Sequence, residues 1–204
     1  MNVFDYFQVT IVAAFMLIIL VKTLYLRRRN INPIVIGGGK RGLTLIVELL
    51  AFAALLAWMV EIILYAVHSR FHIFPSPLDV VLIDSFIAKV AGVMLTVIGF
   101  TLFLLAYVSF GDSWRVGFDL KTPGALVTTG LFAVSRNPIY VFLDLFFLGI
   151  FLINGTLIFL IYAALAFAAI HWQILQEEDF LLKLYGQPYQ DYLGRTGRYV
   201  SLRR

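Results

Sequence analysis

Long apolar runs separated by short polar connections constrain this chain more than any other feature. The first, Phe7 to Leu26, carries a single charge, Lys22, and is followed by Arg27-Arg28-Arg29 and the breaker-rich stretch Asn30 to Gly42. A signal peptide places its positive charges ahead of the apolar stretch, so this run reads as a retained helix. A second run, Leu43 to Val67, is interrupted by Glu48 and Glu61, and a polar, proline-containing turn from His68 to Asp79 separates it from a third, about Ile83 to Phe110. After the polar segment Gly111 to Pro138 come Ile139 to Ile153 and Thr156 to Leu175, joined only by Asn154-Gly155. So short a joint requires an antiparallel helical hairpin. A span needs ~20 residues at ~1.5 Å each, so the first arm of the hairpin either tilts or stops inside the bilayer. The residues from Gln176 to Arg204 read as a helix leaving the membrane and a surface tail.

Composition agrees with this pattern. The 204 residues are 61% apolar and 14% charged, against roughly half and a quarter in soluble domains. The expected fold is an all-α polytopic membrane protein of about five transmembrane helices, including the C-terminal hairpin. Residues 1–110 form a three-helix membrane region, and residues 111–204 carry the hairpin and tail. No length is left for a large soluble catalytic domain. The absence of cysteine excludes disulfides, thiolate metal sites and cysteine nucleophiles. The net charge of +4 sits in short clusters, which argues against a nucleic-acid partner. No metal site is expected, and the sequence carries no signal for an oligomeric state.

The positive-inside rule sets the orientation. With the N-terminus outside, every one of the 16 basic residues except Arg70 and Lys89 falls on the inner side. Small size and short loops favour a bacterial or archaeal inner membrane, with the polar clusters on the cytoplasmic face. Arg136-Asn137-Pro138-Ile139-Tyr140 then lies at the inner entrance of the hairpin, and Gln176-Glu177-Glu178-Asp179 at its inner exit. Antiparallel arms bring the two clusters to one depth. Pro138 suits the first turn of a helix, where its missing N–H costs nothing. An arginine, an amide and two carboxylates converging beside lipid suit a zwitterionic or cationic ligand with hydroxyls and an amine.

These residues resemble a known family. Leu126 to Phe132, Ser135 to Tyr140, the apolar hairpin, Glu177-Glu178, Tyr185-Gly186-Gln187-Pro188-Tyr189, and Tyr192 with Arg195-Thr196-Gly197-Arg198 are similar to the isoprenylcysteine carboxyl methyltransferase and phospholipid methyltransferase group of integral membrane enzymes. The resemblance covers the chain from Gly111 onward. It implies S-adenosylmethionine as cofactor and methyl donor, bound at the inner face, and a lipid or other amphipathic acceptor entering from surrounding membrane lipids. By carry-over it implies that Arg136 binds the cofactor's carboxylate or fixes the loop. Glu177 and Glu178 take its ribose hydroxyls or amino group, Gly130 allows close backbone approach, and Asn137, Pro138 and Tyr140 complete the motif. Asn137 stands where many members have histidine, so a titrating role is lost there. Gln173 stands where many have arginine, which weighs against a prenylcysteine-like substrate. Methyl transfer asks mainly for positioning and a dry site.

Other readings stay open at this stage. Sterol and steroid reductases look similar in their C-terminal membrane region and would place NADPH in the same pocket, and a non-enzymatic membrane scaffold needs no pocket at all. An isolated acidic pair is ordinarily a solvated helix end, and neighbours on a helix do not share a face. His171, seven residues before Glu178, either lines the pocket or packs. Asp144, one turn after Tyr140, supports the site from behind. Intramembrane charges are functional candidates, but Glu48 and Glu61 lie about 20 Å apart along a helix and cannot form a catalytic pair. Glu48 is expected to pair with Lys40 or Arg41, Lys89 to snorkel to the outer interface, and Gly37-Gly38-Gly39 to be a flexible connection.

Overall fold

The computed structural model describes residues 1–33, 42–111 and 126–201. Lys40, Arg41, Arg115, Lys121, Arg203, Arg204 and the Gly37-Gly38-Gly39 connection lie outside these residues. Among the described residues the helices are α1 (Val3–Arg28), α2 (Leu43–Ala66), α3 (Phe86–Phe110), α4 (Pro138–Asn154), α5 (Leu157–Tyr185) and α6 (Gln187–Arg195). Of these, α1, α2, α3 and α5 are long and apolar enough to cross a membrane, and α4 is a shorter apolar helix. The fold is therefore all-α and polytopic, with the hairpin α4–α5 at its C-terminal end. The chain divides into two compact units, one containing α1 and α2 and the other α3 to α6.

In the first unit, α1 begins in a capping box. The Asn2 side chain accepts from the backbone N–H groups of Phe4 and Asp5, while Asp5 accepts from the Asn2 N–H. These groups satisfy donors that a helix start leaves open. Arg27 and Arg28 in the last turn oppose the negative end of the helix dipole. Glu61 on α2 is 1% exposed. It is partnered within its own unit, by His72 Nδ1 at 3.2 Å and the Ile73 N–H at 2.9 Å.

In the second unit, α3 lies against α4 through small residues. A Cβ on Gly92 would stand 2.5 Å from the Gly149 carbonyl, and one on Gly99 would stand 3.1 Å from the Phe142 carbonyl. A Cβ on Gly149 would collide with Thr96 Oγ1. In a bilayer, where apolar burial gives helices little reason to associate, such close backbone approach supplies the packing. Nearer the motif end, Phe103 stacks on Phe142 at 5.0 Å. Lys89, near the start of α3, pairs with Asp84 at 2.7 Å.

The hairpin turn is Gly155, left-handed at φ 67°, with its N–H donating to Phe151 at 2.6 Å. The Gly155 carbonyl accepts from Leu82 at 2.7 Å and Ile83 at 3.0 Å, and Leu157 donates to Val80 at 2.8 Å. A side chain at 155 would strike the Ile83 carbonyl. Glycine is thus required there twice over, for its φ and for the approach. At the opposite end, α5 runs to Tyr185, ten residues beyond the apolar stretch, and Gly186 turns the chain into α6.

Candidate functional site

Residues at the motif end of the hairpin are held by α6 and the segment that follows it. Tyr189 and Tyr192 on α6 are buried with Phe132, and Phe110, Leu126 and Leu181 pack against them. The Tyr192 hydroxyl donates to the Phe132 carbonyl at 2.6 Å. Burial pushes the Tyr192 phenol up to about 12, and raises Tyr189 as well, so both stay neutral at ordinary pH. Beyond α6 the chain returns alongside the residues that precede α4. Arg136 donates its N–H to Gly197 at 3.1 Å, and Ser201 donates to Val134 at 2.7 Å.

Glu178 is the hub of this arrangement. Its Oε1 accepts from Arg136 Nε at 3.1 Å and Nη2 at 2.8 Å, and its Oε2 accepts from Arg198 Nε at 3.1 Å and Nη2 at 2.7 Å. The Arg136 and Glu178 side chains are only 10% and 11% exposed, whereas Arg198 is 36% exposed. Arg136 Nη1 also donates to the carbonyls of Leu193 and Thr196. Asn137 is the N-cap residue of α4, but its side chain does not cap the helix. Its amide instead donates to Glu178 Oε1 at 3.4 Å and to the Arg198 carbonyl at 3.1 Å. Pro138 takes the first helical turn, where no N–H is needed. Arg136, Asn137 and Glu178 therefore join the two ends of the hairpin to the tail.

Glu177, one residue earlier on α5, points elsewhere. The Tyr140 hydroxyl donates to Glu177 Oε2 at 2.9 Å, and Gln173, one turn before Glu177, also hydrogen-bonds Tyr140. Adjacent helix positions differ by ~100°, which is why neighbouring carboxylates meet different partners. Asp144 follows Tyr140 by one turn of α4, and its Oδ1 is buried with no hydrogen-bond partner among the described residues. Exposed His171 meets the Tyr199 hydroxyl at 2.8 Å through Nδ1. Gly130 opens a short 3-10 turn at φ 62°, with Ser109 Oγ of α3 3.1 Å from where its Cβ would stand.

The sequence singled out Gly130, Arg136, Asn137, Pro138, Tyr140, Asp144, His171, Gln173, Glu177 and Glu178, but not the tail groups Arg198 and Tyr199. Arg198 belonged to a quoted motif, yet nothing in its local sequence shows that it reaches Glu178. The arrangement offers a carboxylate oriented by a phenol, and an arginine whose Nη1 makes no hydrogen bond among the described residues. Asp144 Oδ1 adds a buried oxygen with no hydrogen-bond partner among the described residues. Such groups can bind a ligand bearing both charges.

Comparison with known proteins places this region. The phospholipid methyltransferase family matches residues 87–188, half of the chain, from the start of α3 through α5 into the first residues of α6. No curated protein matches the chain.

Proposed function

Because the chain belongs to the phospholipid methyltransferase family, we propose that it transfers a methyl group from S-adenosylmethionine to a lipid or other amphipathic acceptor at the cytoplasmic membrane face. The observation that carries this reading is that adjacent residues of α5 hold two groups of opposite charge, Glu177 fixed by Tyr140 and Arg198 fixed by Glu178. S-adenosylmethionine presents an ammonium, a carboxylate and ribose hydroxyls, and this donor set fits them. Glu177 takes the ammonium or the hydroxyls, with Gln173 and Tyr140 fixing its rotamer. Arg198 takes the carboxylate through its remaining N–H groups, a charge-assisted contact. Arg136, Asn137 and Glu178 act by holding the tail, and hence Arg198, in place. Gly130 lets the preceding loop approach α3. The family match favours methyl transfer over the reductase and scaffold readings.

The bound cofactor supplies a methyl group on a positively charged sulfur, and that charge disappears as the methyl leaves. The protein's part is alignment and exclusion of water. Tyr189 and Tyr192 of α6 pack on Phe132 beside these groups, and the apolar faces of α3 and α4 suit an acceptor that comes from the bilayer. The distribution of basic residues under the positive-inside rule supports a site on the cytoplasmic side.

Titration calorimetry on the purified protein in lipid nanodiscs tests the assignment. Wild type binds S-adenosylmethionine, and Glu177→Gln weakens binding by roughly tenfold or more, about 1.4 kcal/mol. Absence of binding by wild type contradicts the proposal.

A further inference from the structure

Most polar groups at the motif end of the hairpin face one another, but one pair faces outward. His171 lies on α5 four residues before the apolar run ends at Leu175, ~6 Å inside it at ~1.5 Å per residue. It is exposed, and so are Ala164, Ala168 and Leu175, which share its face at intervals of three and four residues. An exposed side chain on a membrane span meets lipid rather than water. Ionisable groups in such a place are rare and mark function.

The tail reaches the same depth. The Tyr199 hydroxyl is 2.8 Å from His171 Nδ1, and the two rings stack at 6.3 Å and 18°. A phenol and a neutral imidazole carry two polar hydrogens between them. One joins the rings and one is left over, whichever nitrogen of His171 is protonated. If the phenol donates to Nδ1, the spare donor is Nε2–H; if Nδ1–H donates, it is the phenol O–H. Neither ring makes a second hydrogen bond among the described residues, and a donor in lipid needs an acceptor. Trp172, 49% exposed, stands beside His171, and such amphipathic rings collect at the headgroup level of a bilayer. At that level the lipid itself supplies acceptors, the phosphate and ester oxygens of its glycerol backbone.

We propose that His171 and Tyr199 hold the acceptor lipid by a phosphate or ester oxygen of its glycerol backbone, with an acyl chain lying over Ala164 and Ala168. This rests on the methyl transfer proposed above and adds to it the part of the acceptor that the protein grips. The small side chains of Ala164 and Ala168 leave room along α5 on the bilayer side of His171. Glu177, six residues after His171, stands ~9 Å further along the helix, and Arg198 precedes Tyr199 in the tail. Neighbouring tail residues therefore serve cofactor and acceptor, and the lipid headgroup spans the interval between them. A single-chain amphiphile without phosphate or ester gives the spare donor nothing of this kind to bind, so the pair favours a glycerophospholipid over it.

The test uses the full-length protein in non-ionic detergent micelles with methyl-labelled S-adenosylmethionine and a graded mole fraction of total bacterial lipid extract. His171→Phe keeps a ring against Tyr199 and removes both nitrogens. It raises the half-saturating lipid fraction about tenfold, the worth of one hydrogen bond, while the plateau rate and the affinity for S-adenosylhomocysteine stay within about twofold. Tyr199→Phe, which leaves His171 a donor, raises that fraction about threefold and carries the test if His171→Phe does not fold. His171→Gln, whose amide N–H still donates, recovers most of the loss. Dioleoyl phosphatidic acid competes with labelling by wild type, oleyl alcohol does not, and the difference disappears in His171→Phe. Dioleoylglycerol, which has the esters and no phosphate, competes if an ester oxygen is held and fails to compete if a phosphate oxygen is. An unchanged half-saturating fraction in His171→Phe, equal competition by oleyl alcohol, or a matching loss of S-adenosylhomocysteine affinity, as a purely structural contact would give, overturns the assignment. Wild type that binds no S-adenosylhomocysteine, or labels no lipid, instead overturns the methyltransferase reading beneath it.

Discussion

Arg136 and Glu178, 42 residues apart in the chain, meet where two guanidinium nitrogens share one carboxylate oxygen at 3.1 and 2.8 Å. The other oxygen is left for Arg198, so the ion pair holds both ends of the hairpin to the tail. Removing one partner strands a buried charge, which costs ~3–5 kcal/mol. Glu178→Ala is expected to be the most damaging single change, because it strands two arginines. Thermal unfolding in detergent should rank Glu178→Ala below Arg136→Ala and Arg136→Ala below Arg198→Ala. The double variant Arg136→Ala/Glu178→Ala should lose less than the sum of its singles.

Tyr140 and Glu177 make a separate prediction. Tyr140→Phe removes only the hydroxyl that donates to Glu177 Oε2, a hydrogen bond to a charged group worth ~1.5–3 kcal/mol. S-adenosylmethionine binding should weaken several-fold, and the thermal midpoint should fall by several degrees. Calorimetry beside a thermal scan reads both quantities, and an unchanged affinity would count against Tyr140 as the group that orients Glu177.

The glycine contacts between α3 and α4 are expected to resist enlargement. Gly149→Ala drives a methyl group into Thr96 Oγ1 and the Gly92 carbonyl, and overpacking of this kind costs ~1–3 kcal/mol. Gly194→Ala on α6 meets nothing within 4 Å and should be neutral or stabilising, by up to ~1 kcal/mol. Parallel unfolding curves of the two variants make the comparison.

Alkaline stability depends on Tyr192. Its phenol is raised to about 12 by burial, from ~10 in an unfolded chain. A raised pKa means that the unfolded chain loses this proton first, so the stabilisation is complete below pH ~10 and is lost as pH rises towards 12. Tyr192→Phe also leaves the Phe132 carbonyl without its 2.6 Å donor, at ~1–3 kcal/mol. The variant should be less stable than wild type at pH 8, and the gap should narrow between pH 10 and 12. Chemical denaturation at several pH values tests this.

The apolar runs marked α1 to α5 closely, and Asn154-Gly155 marked the hairpin turn, because burial in lipid and tight turns leave local signatures. The packing of α3 on α4 left a weaker one. Gly92, Thr96, Gly99 and Gly149 are small residues at helical spacing, but only the fold shows which face they meet. That the clusters around Arg136 and Glu177-Glu178 come to one end followed from hairpin geometry, whereas the ion pair of Arg136 with Glu178 did not, since the resemblance turned both groups towards a cofactor. The contribution of Arg198 did not, since a tail that folds back over a hairpin is fixed by tertiary contacts such as that of Tyr192 with the Phe132 carbonyl. The different partners of Glu177 and Glu178 follow from helix rotation alone, and the sequence already implied that they could not share one face.

The central claim is methyl transfer at the site where Glu177 is held by Tyr140. Full-length protein incubated with methyl-labelled S-adenosylmethionine and a total lipid extract should place label in the organic-soluble lipid fraction, and Glu177→Gln should abolish most of it while the protein stays folded. Wild-type protein that binds the cofactor yet labels no lipid, or equal labelling by Glu177→Gln, would contradict the account.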